Sequence, residues 1–156
     1  MMTRRPSISQ LSQTLLDTCI CHKTRMAARV VTRAYDEALR PTGLRATQVS
    51  VLAAVGVRGA VSITALADSL GMERTTLTRN LRPLEQKGYV QLAAEGHRRS
   101  RVLTLTPAGR AALLGALPLW KEAQRLITQR LARQRWPVVH DALAALAQEF
   151  HPGRHS

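Results

Sequence analysis

The residue types best suited to chemistry lie close together near the amino terminus. Cys19, Cys21 and His22 fall within the run Thr18-Cys19-Ile20-Cys21-His22. Zinc takes about four nitrogen or sulfur ligands, and this run supplies three at most. Residues i and i+2 of a regular helix point about 200° apart. Cys19 and Cys21 could therefore share one ion only if the helix begins after them or a second subunit adds ligands.

The same run also suits a thiol switch. The neighbouring side chains of His22, Lys23 and Arg25 would favour a Cys21 thiolate. A thiolate reacts with peroxides to give a sulfenic acid, which then forms a mixed or intersubunit disulfide. Small, packed and inert cysteines are also common in proteins. The residues alone leave the metal, redox and structural interpretations open.

Motifs of enzyme chemistry are absent from the sequence. It contains no phosphate-binding glycine loop, no strand–serine–helix elbow, no HExxH pair and no suitably paired carboxylates. Cys21 and His22 lack a third group to orient them, which argues against a cysteine hydrolase. We therefore expect no enzyme and no cofactor.

Charge gives the strongest indication of a partner. The 156 residues fit one domain and carry 23 Lys and Arg against 10 Asp and Glu, a formal net charge of +13. Such a field favours a polyanion, above all duplex DNA. Aromatic residues make up only 3% of the chain, too few for a single-strand binder that stacks bases. An architectural protein that coats DNA without sequence preference is the alternative.

Apolar periodicity and turn residues predict the elements that must position these side chains. Helices are expected over 11–39, 46–55, from Ser62 to Gly71, from Glu73 to Lys87 with Gly88 as its stop, over 107–133 and over 136–150. The β-prone runs 89–92 and 102–105 predict a hairpin with a polar tip. Pro83 and Pro118 are expected to disturb the helices that contain them.

This order predicts a mainly α fold with a small β-hairpin wing, a winged helix–turn–helix flanked by terminal helices. Residues 41–106 would form the DNA-binding region. Residues 1–40 and 107–156 would form a helical dimerisation region. The terminal helices carry more apolar side chains than one wing domain can cover, so either a second copy of the chain or packing within the chain must bury them.

Several motifs then appear in one collinear order over residues 15–150. They are Gly43-Leu44 with Gln48 and Val51-Leu52, Ile63 to Ala67, Thr75 to Val90, Arg98-Arg99 with Val102, and Leu105 to Gly109. In this order and spacing the chain resembles the MarR (multiple antibiotic resistance regulator) family of transcriptional regulators. The resemblance implies a homodimeric repressor that binds a pseudo-palindromic duplex operator and responds to an effector.

The helix that begins at Glu73 would be the recognition helix. Burial of its three leucines leaves a polar face and margins made of Arg74, Thr75, Thr76, Thr78, Arg79, Asn80 and Arg82. Short hydroxyl side chains allow close approach to DNA, and arginine can hold guanine by two hydrogen bonds. The hairpin adds Arg98, Arg99 and Arg101, and the resemblance implies that Arg98 enters the minor groove. His97 stands where many relatives carry an aspartate that orients this arginine.

The resemblance also bears on the signal. With the chain aligned on Gln48, Cys21 falls where the organic-peroxide-sensing branch of the family carries its reactive cysteine. Other members bind aromatic carboxylates beside the dimer helices, and Arg25, Arg29 and Arg33 could meet such an anion. Candidate effector residues are therefore Cys19, Cys21, His22 and Arg25, and the same two cysteines with His22 are the candidate ligands of a thiophilic metal.

The expected location is the cytoplasm. No apolar stretch follows the basic residues 1–6, so a secretory signal is not expected. The longest nearly apolar run, residues 49–57, is too short to cross a bilayer. Two cysteines do not make a disulfide framework.

Overall fold

The structure is a computed structural model and describes residues 6–94 and 101–151. The elements in chain order are α1 (Ile8–Thr18), α2 (Ile20–Leu39), a 3₁₀ turn (Arg40–Thr42), α3 (Ala46–Arg58), β1 (Val61–Ser62), α4 (Ile63–Ser69), α5 (Arg74–Gln86), β2 (Val90–Ala94), β3 (Arg101–Leu105), α6 (Pro107–Arg130) and α7 (Arg135–Glu149). This order confirms the predicted mainly helical, winged helix–turn–helix fold with flanking helices.

The chain divides into two compact units, one ending at Ala34 and the other beginning at Tyr35. In the first unit, the predicted single helix over 11–39 is wrong, because the backbone is extended at Cys19 (φ −68°, ψ 113°). The Cys19 N–H donates to the carbonyl of Leu15 at 2.9 Å, and its own carbonyl accepts from the N–H of Lys23 at 3.0 Å. Cys19 therefore ends α1 and begins α2.

Helix α1 begins three residues before the predicted start because Ser7 and Gln10 form a capping box. The Gln10 N–H donates to Oγ of Ser7 at 3.3 Å, and the Ser7 N–H donates to Oε1 of Gln10 at 2.8 Å. Two otherwise unpaired backbone donors at the helix start are thereby satisfied.

Helix α3 is longer than predicted. It continues through Gly56 to Arg58 and ends at Gly59, whose φ of 72° lies in the region that favours glycine. A Cβ on Gly56 would lie 3.7 Å from the side chain of Leu105, an ordinary van der Waals distance, so β3 packs near the helix here without requiring glycine. At the other end, Oδ1 of Asp36 accepts from the Ala46 N–H at 2.7 Å and places a negative charge at the start of the helix.

The helix–turn–helix has the predicted stops. Oγ of Ser62 accepts from the Ala65 N–H at 3.1 Å and caps α4. Helix α4 ends at Gly71 and α5 at Gly88, each with a positive φ and with backbone bonds closing back onto the last turn. Helix α5 runs past Pro83 to Gln86, and the kink expected at Pro83 stays a prediction.

The wing belongs to a three-stranded antiparallel sheet in the order β1-β3-β2. In β2 and β3, Val90 pairs with Leu105 and Leu92 with Leu103. Strand β1 was not predicted. Its two residues pair with the middle strand, with Val61 opposite Leu103, and are too few to show a period.

One hydrophobic core joins the helix–turn–helix to this sheet and to α6. Its largest fully buried side chains are Leu39, Leu52, Leu66, Leu77, Leu84, Leu103, Val51 and Val55. Ala116 of α6 is also fully buried in this core. The recognition helix, the sheet and α6 are therefore packed as one body.

Thr106 and Gly109 bring the start of α6 close to the segment that leads into β2. Oγ1 of Thr106 donates to the carbonyl of Gly88 at 2.6 Å and accepts from the Gly109 N–H at 3.0 Å. The Thr106 N–H donates to the carbonyl of Tyr89 at 3.1 Å. A Cβ on Gly109 would lie 1.9 Å from that same carbonyl oxygen, so only glycine fits. The predicted Thr-Pro helix start is confirmed.

A Gly109→Ala substitution should lower the free energy of unfolding by about 1–3 kcal/mol, because the backbone of Tyr89 must move aside. Gly115→Ala in the same helix is the matched control, since a Cβ there meets nothing within 4 Å. It should raise the free energy by about 0.5–1 kcal/mol. Urea unfolding followed by circular dichroism, at one protein concentration, measures both. Equal stability of the Gly109→Ala and natural chains would contradict the close approach.

The end of α2 is tied to the last third of α6 within the second unit. The Tyr35 hydroxyl donates to Oε1 of Gln124, and the ring packs against the hydrophobic core. Burial raises the pKa of Tyr35, because the charged phenolate is poorly solvated there. The folded structure therefore favours the neutral form of the Tyr35 side chain.

Replacing Tyr35 by Phe should cost about 1 kcal/mol at neutral pH through loss of this hydrogen bond. As pH rises past 10, the unfolded chain releases its Tyr35 proton before the folded chain does, so the Tyr35 contribution to stability falls. Tyr35→Phe should therefore lose less stability between neutral and alkaline pH than the natural chain. Tyr89→Phe is the control, because among the described residues its hydroxyl has no hydrogen-bond partner. Parallel alkaline losses in the Tyr35→Phe and natural chains would contradict the assignment.

Helix α6 ends three residues before its predicted end and runs through Pro118. Its last bonds lead into Ala132, which has a φ of 57°. This is the one residue other than glycine with a positive φ in the described ranges, and it costs about 1–2 kcal/mol in this region. The chain turns here into α7, which begins at Arg135.

Candidate nucleic-acid interface

Helix α5 is held by a stripe of three leucines at i, i+4 and i+7. Leu77 and Leu84 are fully buried and Leu81 is 2% exposed. Successive residues of a helix are about 100° apart, so this stripe fixes which side chains face outward. The side of α5 opposite the three leucines is therefore exposed to solvent.

Four exposed side chains form a line along that opposite side, which we call the outward line. They are Thr75, Arg79, Arg82 and Gln86, each between about 130° and 200° from Leu77. Three of them were predicted as DNA contacts. Gln86 was not among the predicted contacts, although its spacing of eleven residues from Thr75, about three helical turns, places it on the same side of the helix.

Two other predicted contacts use their polar atoms inside the helix. The Thr78 hydroxyl donates to the carbonyl of Arg74 at 2.8 Å, and Nδ2 of Asn80 donates to the carbonyl of Thr76 at 3.0 Å. Asn80 is also half-buried beside the leucine stripe. Thr78 can still accept a hydrogen bond, but its proton is already engaged.

The arginines of α5 carry unneutralised charge. Arg74, Arg79 and Arg82 are exposed, and no carboxylate in the described part of the chain forms an ion pair with them. Arg74 and Thr76 lie in the first turn beside the amino end of the helix, where backbone N–H groups and the helix dipole favour an anion. This end of α5 is strongly suited to a phosphate-bearing partner.

The carboxy-terminal end of α5 is held in place by a lysine side chain. Nζ of Lys87 donates to the carbonyl of Gly43 at 2.7 Å and lies 5.9 Å from the centre of the Tyr89 ring. This lysine ties the end of the recognition helix to the 3₁₀ turn. The ammonium group of Lys87 therefore stabilises the fold.

The wing is described only at its base. Arg101 lies in β3, with its backbone paired to Ala94. Arg98 and Arg99, and the neighbouring His97, lie outside the described residues. Their predicted roles stay predictions.

The predicted effector residues lie in the first unit. Cys19 and His22 are half-buried, and Cys21 and Arg25 are exposed. Within residues 6–94 and 101–151, no three His, Cys, Asp or Glu side chains are grouped closely enough to hold a metal ion. The described part of the chain therefore does not by itself form a metal site at Cys19, Cys21 and His22.

None of the helices described is both long and apolar enough to cross a bilayer.

Comparison with known proteins adds to this geometry. A family model described as MarR family matches residues 42–100, which run from the 3₁₀ turn into the wing. The helix–turn–helix-type transcriptional regulator YwoH of Bacillus subtilis is 30% identical over 87 residues, covering 56% of this chain and 64% of YwoH. This chain thus spans less than two thirds of that relative.

Solved structures extend the match over most of the chain. The M. tuberculosis transcriptional regulator MosR in complex with DNA is 42% identical, with a TM-score of 0.77, covering 87% of this chain and 98% of MosR. The chain belongs to the MarR family of transcriptional regulators. The transcriptional repressor CouR bound to a 23-mer DNA duplex is 25% identical, with a TM-score of 0.76, covering 92% of this MarR-family chain and 99% of CouR. The predicted family and its DNA-binding regulatory function are confirmed.

Proposed function

We propose that this MarR-family chain is a homodimeric repressor that binds a pseudo-palindromic operator through α5 and is released by an effector. The observation that carries the proposal is the outward line. Its members Thr75, Arg79 and Arg82 are exposed and, in the described part of the chain, their side chains have no hydrogen-bond or ion-pair partner, on a helix anchored by buried leucines. Residues 41–106 serve as the DNA-binding region. Residues 1–40 and 107–156 serve as the dimerisation region. Arg98 and Arg99 of the wing add minor-groove contacts.

Charge supports the same function. A net charge of +13 attracts the phosphate backbone, and the release of counterions makes affinity fall as salt rises. MosR and CouR, the relatives compared above, were both solved bound to DNA. We therefore propose that the chain binds DNA without catalysing a reaction, and that it does so in the cytoplasm.

Substituting Arg79 by Ala should reduce discrimination between operator and competitor DNA by about 1–3 kcal/mol, because a base contact is lost. Titration of DNA from upstream of the chain's own gene, with excess competitor, measures this ratio. Arg58→Ala removes the same charge from the end of α3 and should leave the ratio intact. Unchanged discrimination in Arg79→Ala would remove Arg79 from base readout. Absence of any preference in the natural chain would favour the architectural alternative.

The apolar side chains left uncovered support a dimer. Helix α7 has no fully buried residue, and Leu143 and Phe150 on its apolar side are 51% and 73% exposed. In the first unit, α1 exposes Leu11 and Leu15 on one side. Exposed apolar side chains grouped on one side of a helix mark surfaces that another protein covers. In a dimer with two-fold symmetry, the same face of each copy covers that of the other.

The dimer predicts a molar mass of twice 17.2 kDa in solution. Leu143→Asp should weaken dimerisation by roughly tenfold or more, because burying an unpaired carboxylate is costly. Gln148→Asp adds the same charge on the opposite, exposed side of α7 and should leave the mass unchanged. Light scattering across a dilution series distinguishes them. A natural chain that is monomeric at all concentrations contradicts the proposal.

Oxidation of Cys21 is the proposed signal. The thiol is exposed, as reaction with a peroxide requires. The peroxide oxygen passes to sulfur, giving a sulfenic acid and an alcohol, and condensation with a second thiol forms a disulfide and water. A change in the packing of the dimer helices would then alter the spacing of the two recognition helices.

Treatment with an organic peroxide should lower operator affinity of the natural chain at least about tenfold, the scale of a typical coupling free energy. Cys21→Ser should bind the operator equally well with and without peroxide. Restoration of affinity by a thiol reductant identifies a reversible product. Retention of the natural chain after peroxide treatment would leave Cys21 structural and give the effector role to a small anion at Arg25, Arg29 and Arg33 or to a metal. Release of Cys21→Ser by peroxide would instead assign the oxidation to another side chain, such as Cys19.

A further inference from the structure

We propose that α5 selects guanine rather than adenine, with Arg79 and Arg82 each holding the N7 and O6 acceptors of a guanine in the major groove. This inference rests on the proposed DNA-binding function and adds the base class that the operator must present. The two arginines are the long side chains of the outward line in the part of α5 that a helix–turn–helix inserts.

Spacing along the helix suits two neighbouring readers. Arg79 and Arg82 are three residues apart, which is about 4.5 Å along the axis and about 60° around it. Base pairs are stacked about 3.4 Å apart. The two guanidinium groups therefore reach base edges one or two pairs apart, and Thr75, one turn before Arg79, allows the backbone to come close.

The donors of both arginines are available. Both side chains are exposed, and in the described part of the chain neither has a hydrogen-bond or ion-pair partner. Glu85, three residues after Arg82, forms no ion pair with it in the same ranges. No internal contact has to be broken before each planar fork presents two N–H groups to a base.

The side chain suited to adenine is turned away. Asparagine recognises adenine by offering N–H and C=O together. Asn80 instead gives Nδ2 to the carbonyl of Thr76 at 3.0 Å, is half-buried, and lies about 100° around the helix from Arg79. Gln86 points outward but is the last residue of α5, about 10 Å beyond Arg79. Base contacts come mainly from residues nearer the amino terminus of such helices than this last residue.

Selection from a pool of random DNA duplexes tests the proposal even though the operator sequence is not specified in advance. The full-length natural chain, Arg79→Ala, Arg82→Ala and the charge-matched Arg58→Ala are each put through the selection at one salt concentration. The site selected by the natural chain is then remade with 7-deazaguanine, which lacks the N7 acceptor, or with 7-deazaadenine at its adenines.

The natural chain should select a site with guanines in each half, and each of the two arginine variants should lose preference at a different guanine. Replacement of those guanines by 7-deazaguanine should weaken binding by about 5- to 100-fold, the usual range for one bidentate contact. The natural chain should bind the 7-deazaadenine site, and Arg58→Ala should bind the unmodified site, each within about twofold of the affinity of the natural chain for the unmodified site.

Two results overturn the inference while leaving the proposed function intact. One is a selected site without guanines that depend on Arg79 or Arg82. The other is adenine preference that disappears in Asn80→Ala. Failure to enrich any sequence is a different result, because it removes sequence-specific binding itself and with it the proposed function.

Discussion

The approach of α6 to the carbonyl of Tyr89 is the constraint on which the rest of this fold depends. Gly109 leaves room for that oxygen, and Thr106 fixes the same short segment through its hydroxyl and its N–H. The end of the recognition helix, the root of the wing and the start of a long helix therefore share one point. Only Lys87 to Tyr89 join α5 to β2, and only Thr106 joins β3 to α6.

The positions of the outward-facing side chains of α5 follow from this contact. Gly88 turns the chain out of α5 just before Tyr89, and Lys87 holds the same end to the 3₁₀ turn. The leucine stripe then sets the rotation of α5 about its axis. With one end fixed and one face buried, the polar face of the helix has only one direction to point. Pre-organisation of this kind lowers the entropy cost of binding.

Most of the fold could be predicted because its signals are local. The hydrophobic period located α5, and glycine and proline marked most of the ends. The break at Cys19 was missed because neither Gly nor Pro accompanies it, and β1 was missed because two residues carry no period. In the site, the outward-facing arginines follow from spacing alone. The internal bonds of Thr78 and Asn80 do not, because a sequence shows which groups can donate and not which acceptor they choose.

The break at Cys19 has a mechanical consequence. Helix α1 is 11 residues long and thus about 16 Å from end to end, and it joins α2 through this single extended residue. Both neighbouring helices already use the backbone N–H and carbonyl of Cys19 for their closing bonds. A rotation of about 10° in its two backbone torsions would swing the far end of α1 through about 3 Å without unwinding either helix. A small change in the backbone angles of Cys19 therefore gives a larger displacement at the far end of α1, because the displacement grows with distance along the helix.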